Sequence, residues 1–259
     1  MSTEELEGRP AEGHALVPPL HPSPLDYRNV VVLAPMVRAG TLPLRLTCLD
    51  YGADLVYSEE LVDKKLIGCT RRAGAAPGVI EFISARDGAH VFSTCAAEAG
   101  RNVLQIGTAD AALALQAVSP FARDVAAIDV NMGCPKPFST HCGMGQGLLS
   151  TPELAADIIG TLRRNLPIPI TCKIRVLATP AESVEFARRM EAAGAAAVGV
   201  HARYKHERPG DRAHWADVTP IVDALRVPVL INGDVFVHGD IARARAATGA
   251  SSVMIARGA

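Results

Sequence analysis

The chain of 259 residues has no apolar run of roughly eighteen residues, so no transmembrane helix is predicted. Charge of one sign is also missing: 26 Lys and Arg stand against 27 Asp and Glu, a formal net charge of −1. Affinity for a polyanion comes largely from cations that neutralise phosphates, so an RNA partner must be gripped by a local basic patch or by a part not present here. The six cysteines lack the paired spacing of a structural zinc site. The pairs His201/His206 and Cys134/Cys142 bring no third and fourth ligand, so no metal is expected. Nor is there a secretory disulfide framework; unpaired thiols fit a reducing interior, the cytoplasm or else the nucleus or mitochondrion. No G-x-G-x-x-G follows any apolar run, which tells against a dinucleotide-binding Rossmann sheet. Residues 1–28 carry four Glu, five Pro and two Arg, matching neither a signal peptide nor a transit peptide, and read as a disordered leader.

What is present is a chain 49% hydrophobic and 20% charged, enough to bury a substantial core. From Asn29 onward short β-branched runs alternate with helical patterns. Asn29–Ala34, Asp54–Tyr57, Asn102–Gly107, Val125–Val130, Pro169–Arg175, Ala195–His201, Pro228–Asn232 and Ser251–Arg257 read as strands buried on both faces. Helices are predicted near 42–49, 109–119, from 151, and over 181–193, 215–225 and 239–247. The interval after Glu60 is an excursion with a hairpin, Val79–Ile83 and His90–Thr94, around Arg86-Asp-Gly88. Eight such units over residues 29–259 predict an α/β fold of the (β/α)8 TIM-barrel type, incomplete at its last helix.

The stretch Asp129-Val-Asn-Met-Gly-Cys-Pro-Lys136 turns from core to chemistry, because the apolar run ends in a Cys followed at once by Pro and the backbone must leave the strand there. A lone cysteine is most often a buried structural thiol, but such a thiol needs neither the Asn-Met-Gly before it nor the Pro-Lys after it. A helix is predicted to begin near residue 151, with Ser150 as N-cap and Glu153 closing a capping box. Chemistry in a barrel sits at the C-terminal strand ends. Here those ends carry Met36, Val37 and Arg38, then Glu60, Gln105, Asn131 with Cys134, Lys173 and Arg175, His201 and Arg203, Asn232-Gly233-Asp234, and Ala256-Arg257. The last two sets offer close backbone approach and a guanidinium, as a phosphate cradle needs.

The motifs Leu33-Ala-Pro-Met-Val37, Asp50-Tyr-Gly-Ala-Asp-Leu-Val-Tyr57, Gln105-Ile-Gly107, Asp129 to Lys136, Cys172-Lys-Ile-Arg175 and Asn232-Gly-Asp234 resemble the tRNA-dihydrouridine synthase family over roughly residues 29–259. Val37 to Arg45, Phe138-Ser-Thr140 and Ser251 to Met254 look most like its eukaryotic branch acting on the D-loop uridine at position twenty. The resemblance implies an FMN oxidoreductase of tRNA processing that uses NADPH to reduce uridine to 5,6-dihydrouridine. Met36, Val37, Arg38, Glu60, Gln105, Lys173 and His201 would line the flavin ring and ribityl chain. Asn232, Gly233, Asp234, Ala256 and Arg257 would hold its phosphate, Cys134 would give the proton to C5, and Asn131, Lys136, Arg175 and Arg203 would meet the substrate.

The chain departs from the branch at Asp234, where relatives usually have Gly, and at His141-Cys142, where they usually have Lys-Gly. It stops just after the eighth strand, so the closing helix and the family's helical tRNA-binding domain are expected to be absent. With one evident basic cluster, Arg203, Lys205, Arg208 and Arg212, the chain alone is expected to hold tRNA weakly. Two other readings stay open: a catalytically silent interaction module, and a flavin barrel acting on free pyrimidines, as dihydroorotate dehydrogenases do.

Overall fold

The computed structural model describes residues 25–208 and 210–259. Eight parallel strands form its centre: β1 (Val31–Leu33), β2 (Leu55–Tyr57), β3 (Asn102–Gly107), β4 (Ala127–Met132), β5 (Ile170–Arg175), β6 (Val198–His201), β7 (Val229–Asn232) and β8 (Ser252–Ile255). Each pairs with the next in sequence, and β8 closes on β1 in the register Val31↔Val253 and Leu33↔Ile255. The closed barrel is thus the predicted one. Its strands are mostly shorter than the apolar runs, because the right-handed twist of a small barrel releases the ends from pairing.

Alternation along the strands sorts the side chains. Val32, Leu55, Tyr57, Val103, Ala127, Leu230 and Met254 form one buried cluster inside the barrel, while Val130, Ile128, Ile170, Cys172, Ile174, Val198, Val200 and Ile231 join the larger cluster under the helices. Tyr27 belongs to the inner cluster at 2% exposure, and its carbonyl accepts a 2.6 Å bond from Ser252 Oγ. The end of the segment read as a leader is therefore part of the barrel: an aromatic ring is needed to plug the floor, a demand invisible in local composition. Residues 1–24 lie outside the described residues.

The excursion is a three-stranded antiparallel sheet, Cys69–Ala73, Val79–Ser84 and His90–Cys95. Its first strand was not legible, since Cys-Thr-Arg-Arg-Ala carries no apolar alternation. Arg71 anchors it through Asp124 at 2.7 Å. Phe82 stacks on Phe121 at 4.1 Å, fixing the sheet to the barrel's helical wall. Helix Pro152–Asn165 begins one residue later than the capping-box expectation. Residues Gly145–Ser150 form a 3-10 turn, so Thr151 takes the N-cap position without a side-chain bond, and Glu153 instead pairs with Arg189. The capping box lies one unit on, where Thr179 and Glu182 cap helix Pro180–Ala193. No helix among the described residues is long and apolar enough to cross a membrane.

Candidate active site at the barrel mouth

The C-terminal strand ends converge on a cavity of about 490 Å³. Its lining includes Met36, Val37, Glu60, Gln105, Asn131, Cys134, Lys136, Lys173, Arg175, His201, Arg203, Asn232, Gly233, Asp234, Ala256 and Arg257. Of the residues expected there, Arg38 alone does not line it: its side chain is exposed, and its backbone N–H is held by Glu59 Oε2 at 2.8 Å. A larger cavity of about 770 Å³ lies near Glu182, Glu185 and Arg189, and holds none of the residues expected to bind cofactor, though Lys205 of the basic cluster borders it.

A hydrogen-bonded chain crosses the barrel beneath this mouth. Thr171 Oγ1 donates to Asp129 Oδ1 at 2.6 Å, Gln105 Nε2 to Asp129 Oδ2 at 2.8 Å, and Asn131 Nδ2 to Gln105 Oε1 at 3.1 Å. Burial pushes the Asp129 carboxyl up to about 6 against the pull of these donors and of Lys173. Asn131 was expected to touch substrate. It lines the cavity, and its amide oxygen accepts the backbone N–H groups of Gly133 and Cys134, both at 2.9 Å, which sets the turn that carries the cysteine.

Cys134 is 9% exposed, so the loop tucks the thiol against the cavity wall rather than presenting it to bulk water. Burial, with the neighbouring Glu60 carboxylate next, pushes its thiol up to about 11, above the ordinary value near 8.5 expected from sequence. Ser139 Oγ donates to Glu60 Oε1 at 3.1 Å, joining both groups. The packing depends on two missing side chains. A Cβ on Gly107 would meet Glu60 Oε1 at 2.6 Å, and one on Gly145, where φ is +56°, would meet Ser139 Oγ at 2.5 Å and the Cys134 carbonyl at 2.7 Å. Ser139 and Asp129 are the site residues that sequence reasoning passed over; both lay inside the quoted motifs, but only burial gives them partners.

The cations divide into two kinds. Arg175, 5% exposed, donates to the carbonyls of Gly133 and Tyr204 at 3.0 Å each and of Glu207 at 3.3 Å, tying the β4 and β6 loops together. Arg203, 2% exposed, reaches the Asp211 carbonyl at 2.7 Å, His201 Nε2 at 3.0 Å and the Asp234 carboxylate. Both were expected to meet substrate; both line the cavity, and their planar forks also brace the mouth through loop carbonyls. Lys173, by contrast, makes no hydrogen bond or salt bridge among the described residues, and burial followed by Arg175 lowers its ammonium to about 8. Burial and the charges of Lys173, Arg175, Arg203 and Arg257 push His201 down to about 2, so its imidazole is neutral and accepts from Arg203.

At the far side Asn232 Nδ2 donates to the Met254 carbonyl at 2.8 Å, and the Asp234 carboxylate takes the N–H of Ala213 at 2.6 Å. The Asp234 side chain is thus engaged by Arg203 and Ala213. Gly233 has φ +123°, and a Cβ there would meet Ala213 at 3.0 Å and His201 at 3.3 Å. Arg257 lies over the Phe236 ring at 5.2 Å, at the exposed rim. An anion fits these residues: an ammonium without a hydrogen-bonded partner, glycine-lined backbone, a rim guanidinium and a cavity within the usual few hundred Å³ of cofactor sites.

The family model for dihydrouridine synthase (Dus) matches residues 32–259. A "tRNA-dihydrouridine(20) synthase [NAD(P)+]" of Schizosaccharomyces pombe is 38% identical over 245 residues, covering 91% of this chain and 51% of that protein. The Saccharomyces cerevisiae protein of the same name is 39% identical over 222 residues, covering 81% and 58%. A human "tRNA-dihydrouridine(20a/20b) synthase [NAD(P)+]-like" protein is 30% identical over 235 residues, covering 88% and 68%. The chain therefore spans about half the length of the two yeast proteins. With its barrel, its strand-end residues and the match over nearly all its described length, this chain belongs to the dihydrouridine synthase family.

Proposed function

We propose that the mouth of this barrel binds FMN and, with NADPH as reductant, reduces uridine in tRNA to 5,6-dihydrouridine, at position twenty as in the yeast relatives' names. The observation that carries the reading is a protonated, buried thiol on the wall of a cavity that also holds an ammonium without a bonded partner. Met36, Val37, Gln105, Lys173 and His201 would line the flavin, and the backbone of Asn232, Gly233 and Asp234 with Ala256 and Arg257 would hold its phosphate. Bound there, the flavin would supply hydride to C6 of the uracil.

Lys173 supplies the positive charge that an anionic reduced ring system needs, and its lack of a protein partner leaves it available to do so. Neutral His201 is a donor through its other nitrogen, because Nε2 is occupied by Arg203. Cys134 keeps its proton at neutral pH, since the thiol titrates near 11. So weak an acid gives its proton only to a strong base, which suits the carbanion character developing at C5 of the base. The exposed Lys136, Lys205, Arg208 and Arg212 would meet tRNA phosphates around the mouth.

The test compares the wild-type chain with Cys134→Ala. Both are expected to purify with FMN and to be bleached by NADPH under anaerobic conditions, while the variant forms no dihydrouridine in uridine-containing tRNA. Dihydrouridine formation by the variant at the wild-type rate would remove Cys134 from the reaction, and wild-type protein that takes up no FMN would sink the cofactor assignment.

A further inference from the structure

We propose that Glu60 is the positioning and proton-relay partner of Cys134, holding the thiol at the cavity wall and returning a proton to the sulfur after each donation. This rests on the reading of Cys134 as the donor to C5. Four observations of geometry support it. Glu60 neighbours Cys134: the Ser139 Oγ that donates to it and the Cys134 Cβ both lie within 3.0 Å of a Cβ placed on Gly145. Glu60 is itself fixed by Ser139 Oγ at 3.1 Å. The residues opposite are glycines whose Cβ would collide with this cluster, at Gly107 and Gly145. Finally, Glu60 is 7% exposed and lines the cavity, yet its Oε2 has no hydrogen-bond partner. A buried carboxylate oxygen left without a donor is costly for stability alone, but it is what a group that must accept a proton requires.

The groups that face the sulfur are few. Glu60 comes from the loop after β2, Ser139 from the short helix Pro137–Thr140, and Lys173 and Arg175 from β5. The two cations act on the sulfur through space, and Arg175 does not release a proton. Burial already raises the Glu60 carboxyl above its ordinary range, and a new thiolate beside it raises it further, because two adjacent anions do not both stay charged.

The steps balance. The Cys134 S–H bond breaks as the C5–H bond forms, leaving a thiolate beside Glu60. A solvent hydronium ion entering the cavity protonates Glu60 and leaves as water. Its O–H bond then breaks as the S–H bond re-forms, leaving carboxylate. One solvent proton is consumed per turnover, with no oxidant or reductant beyond those of the reduction itself.

The decisive measurement needs no turnover. Purified wild-type chain and Glu60→Gln are alkylated with iodoacetamide from pH 7 to pH 11.5, and modification of Cys134 is followed by peptide mass spectrometry. Removing the carboxylate charge is expected to lower the midpoint by about one unit, making Cys134 react about tenfold faster at pH 8.5. Superimposable wild-type and Glu60→Gln profiles overturn the proposal. On tRNA, Glu60→Gln should lower the steady-state rate about tenfold more than the rate of the first dihydrouridine per enzyme. An equal fall in both rates would reduce Glu60 to a structural role and overturn the relay. Separated alkylation profiles in a wild-type chain that makes no dihydrouridine would support the carboxyl–thiol pairing and sink the substrate reading instead.

Discussion

Arg45 and Lys173 are both basic side chains drawn out of water, and the molecule treats them in opposite ways. Arg45, 2% exposed, donates to both oxygens of Glu98 at 2.8 and 2.7 Å, to the carbonyls of Gly40 at 2.7 Å and Ser93 at 2.6 Å, and lies over the Phe92 ring at 5.1 Å. Every donor direction that matters is answered, so this charge locks helix Leu42–Asp50 to the antiparallel sheet. Lys173 has no such answer, and its ammonium is disfavoured by burial and by Arg175. The difference teaches that fully bonded charge in this barrel holds architecture, whereas the Lys173 ammonium, offset only through space by Asp129 and without a hydrogen bond, is the group that the proposed flavin would answer.

The largest effect expected from this contrast is on Arg45. Arg45→Met leaves Glu98 as a buried anion without its cation, met only by Asn102 Nδ2 at 3.4 Å, and urea unfolding should show a loss of about 3–5 kcal/mol. A loss under about 1 kcal/mol would mean that the pair is not the lock described. Lys173→Met should act the other way on the FMN-free protein, stabilising it at pH 7 by on the order of 1–3 kcal/mol while weakening flavin binding. The sign follows from the folded ammonium titrating near 8 against the unfolded value of 10.5. Between those values the unfolded chain binds more protons, so wild-type stability rises with pH across the window and the advantage of the variant fades above it. Unfolding curves at pH 7 and pH 10.5 check it, and a gap that widens with pH would contradict the argument. The smallest effect belongs to Arg257 at the rim. Arg257→Ala should leave unfolding within about 0.5 kcal/mol of wild type and weaken FMN binding about five- to tenfold in a fluorescence titration, from the loss of one charge-assisted contact.

Arg175 and Arg203 stand between these extremes, and they show where reading the sequence stopped. Both were placed at the mouth, as their strand-end positions require, but their bracing bonds were not foreseen because a strand-end arginine does not disclose which way its fork is satisfied. The carbonyls they bind, Gly133, Tyr204, Glu207 and Asp211, come from loops whose course no periodicity describes. Arg38 was misplaced for a related reason: one position past Val37 the backbone turns through φ +66°, and the side chain swings out of the cavity.

The sequence by itself determined the barrel, because eight β-branched apolar runs separated by helical patterns have few other ways to bury both faces of each strand. It also determined the ring of polar strand ends, because a period of two carries the same inward face from the apolar interior to the mouth. Only the tertiary structure decided which of those groups are answered. That depends on residues distant in sequence, such as Glu60 meeting Cys134 and Ser139, or Tyr27 meeting Ser252, being brought into contact by closure of the barrel. Protonation states follow from the same closure, since burial and neighbouring charge, not residue type, set the Cys134 thiol near 11 and the Lys173 ammonium near 8.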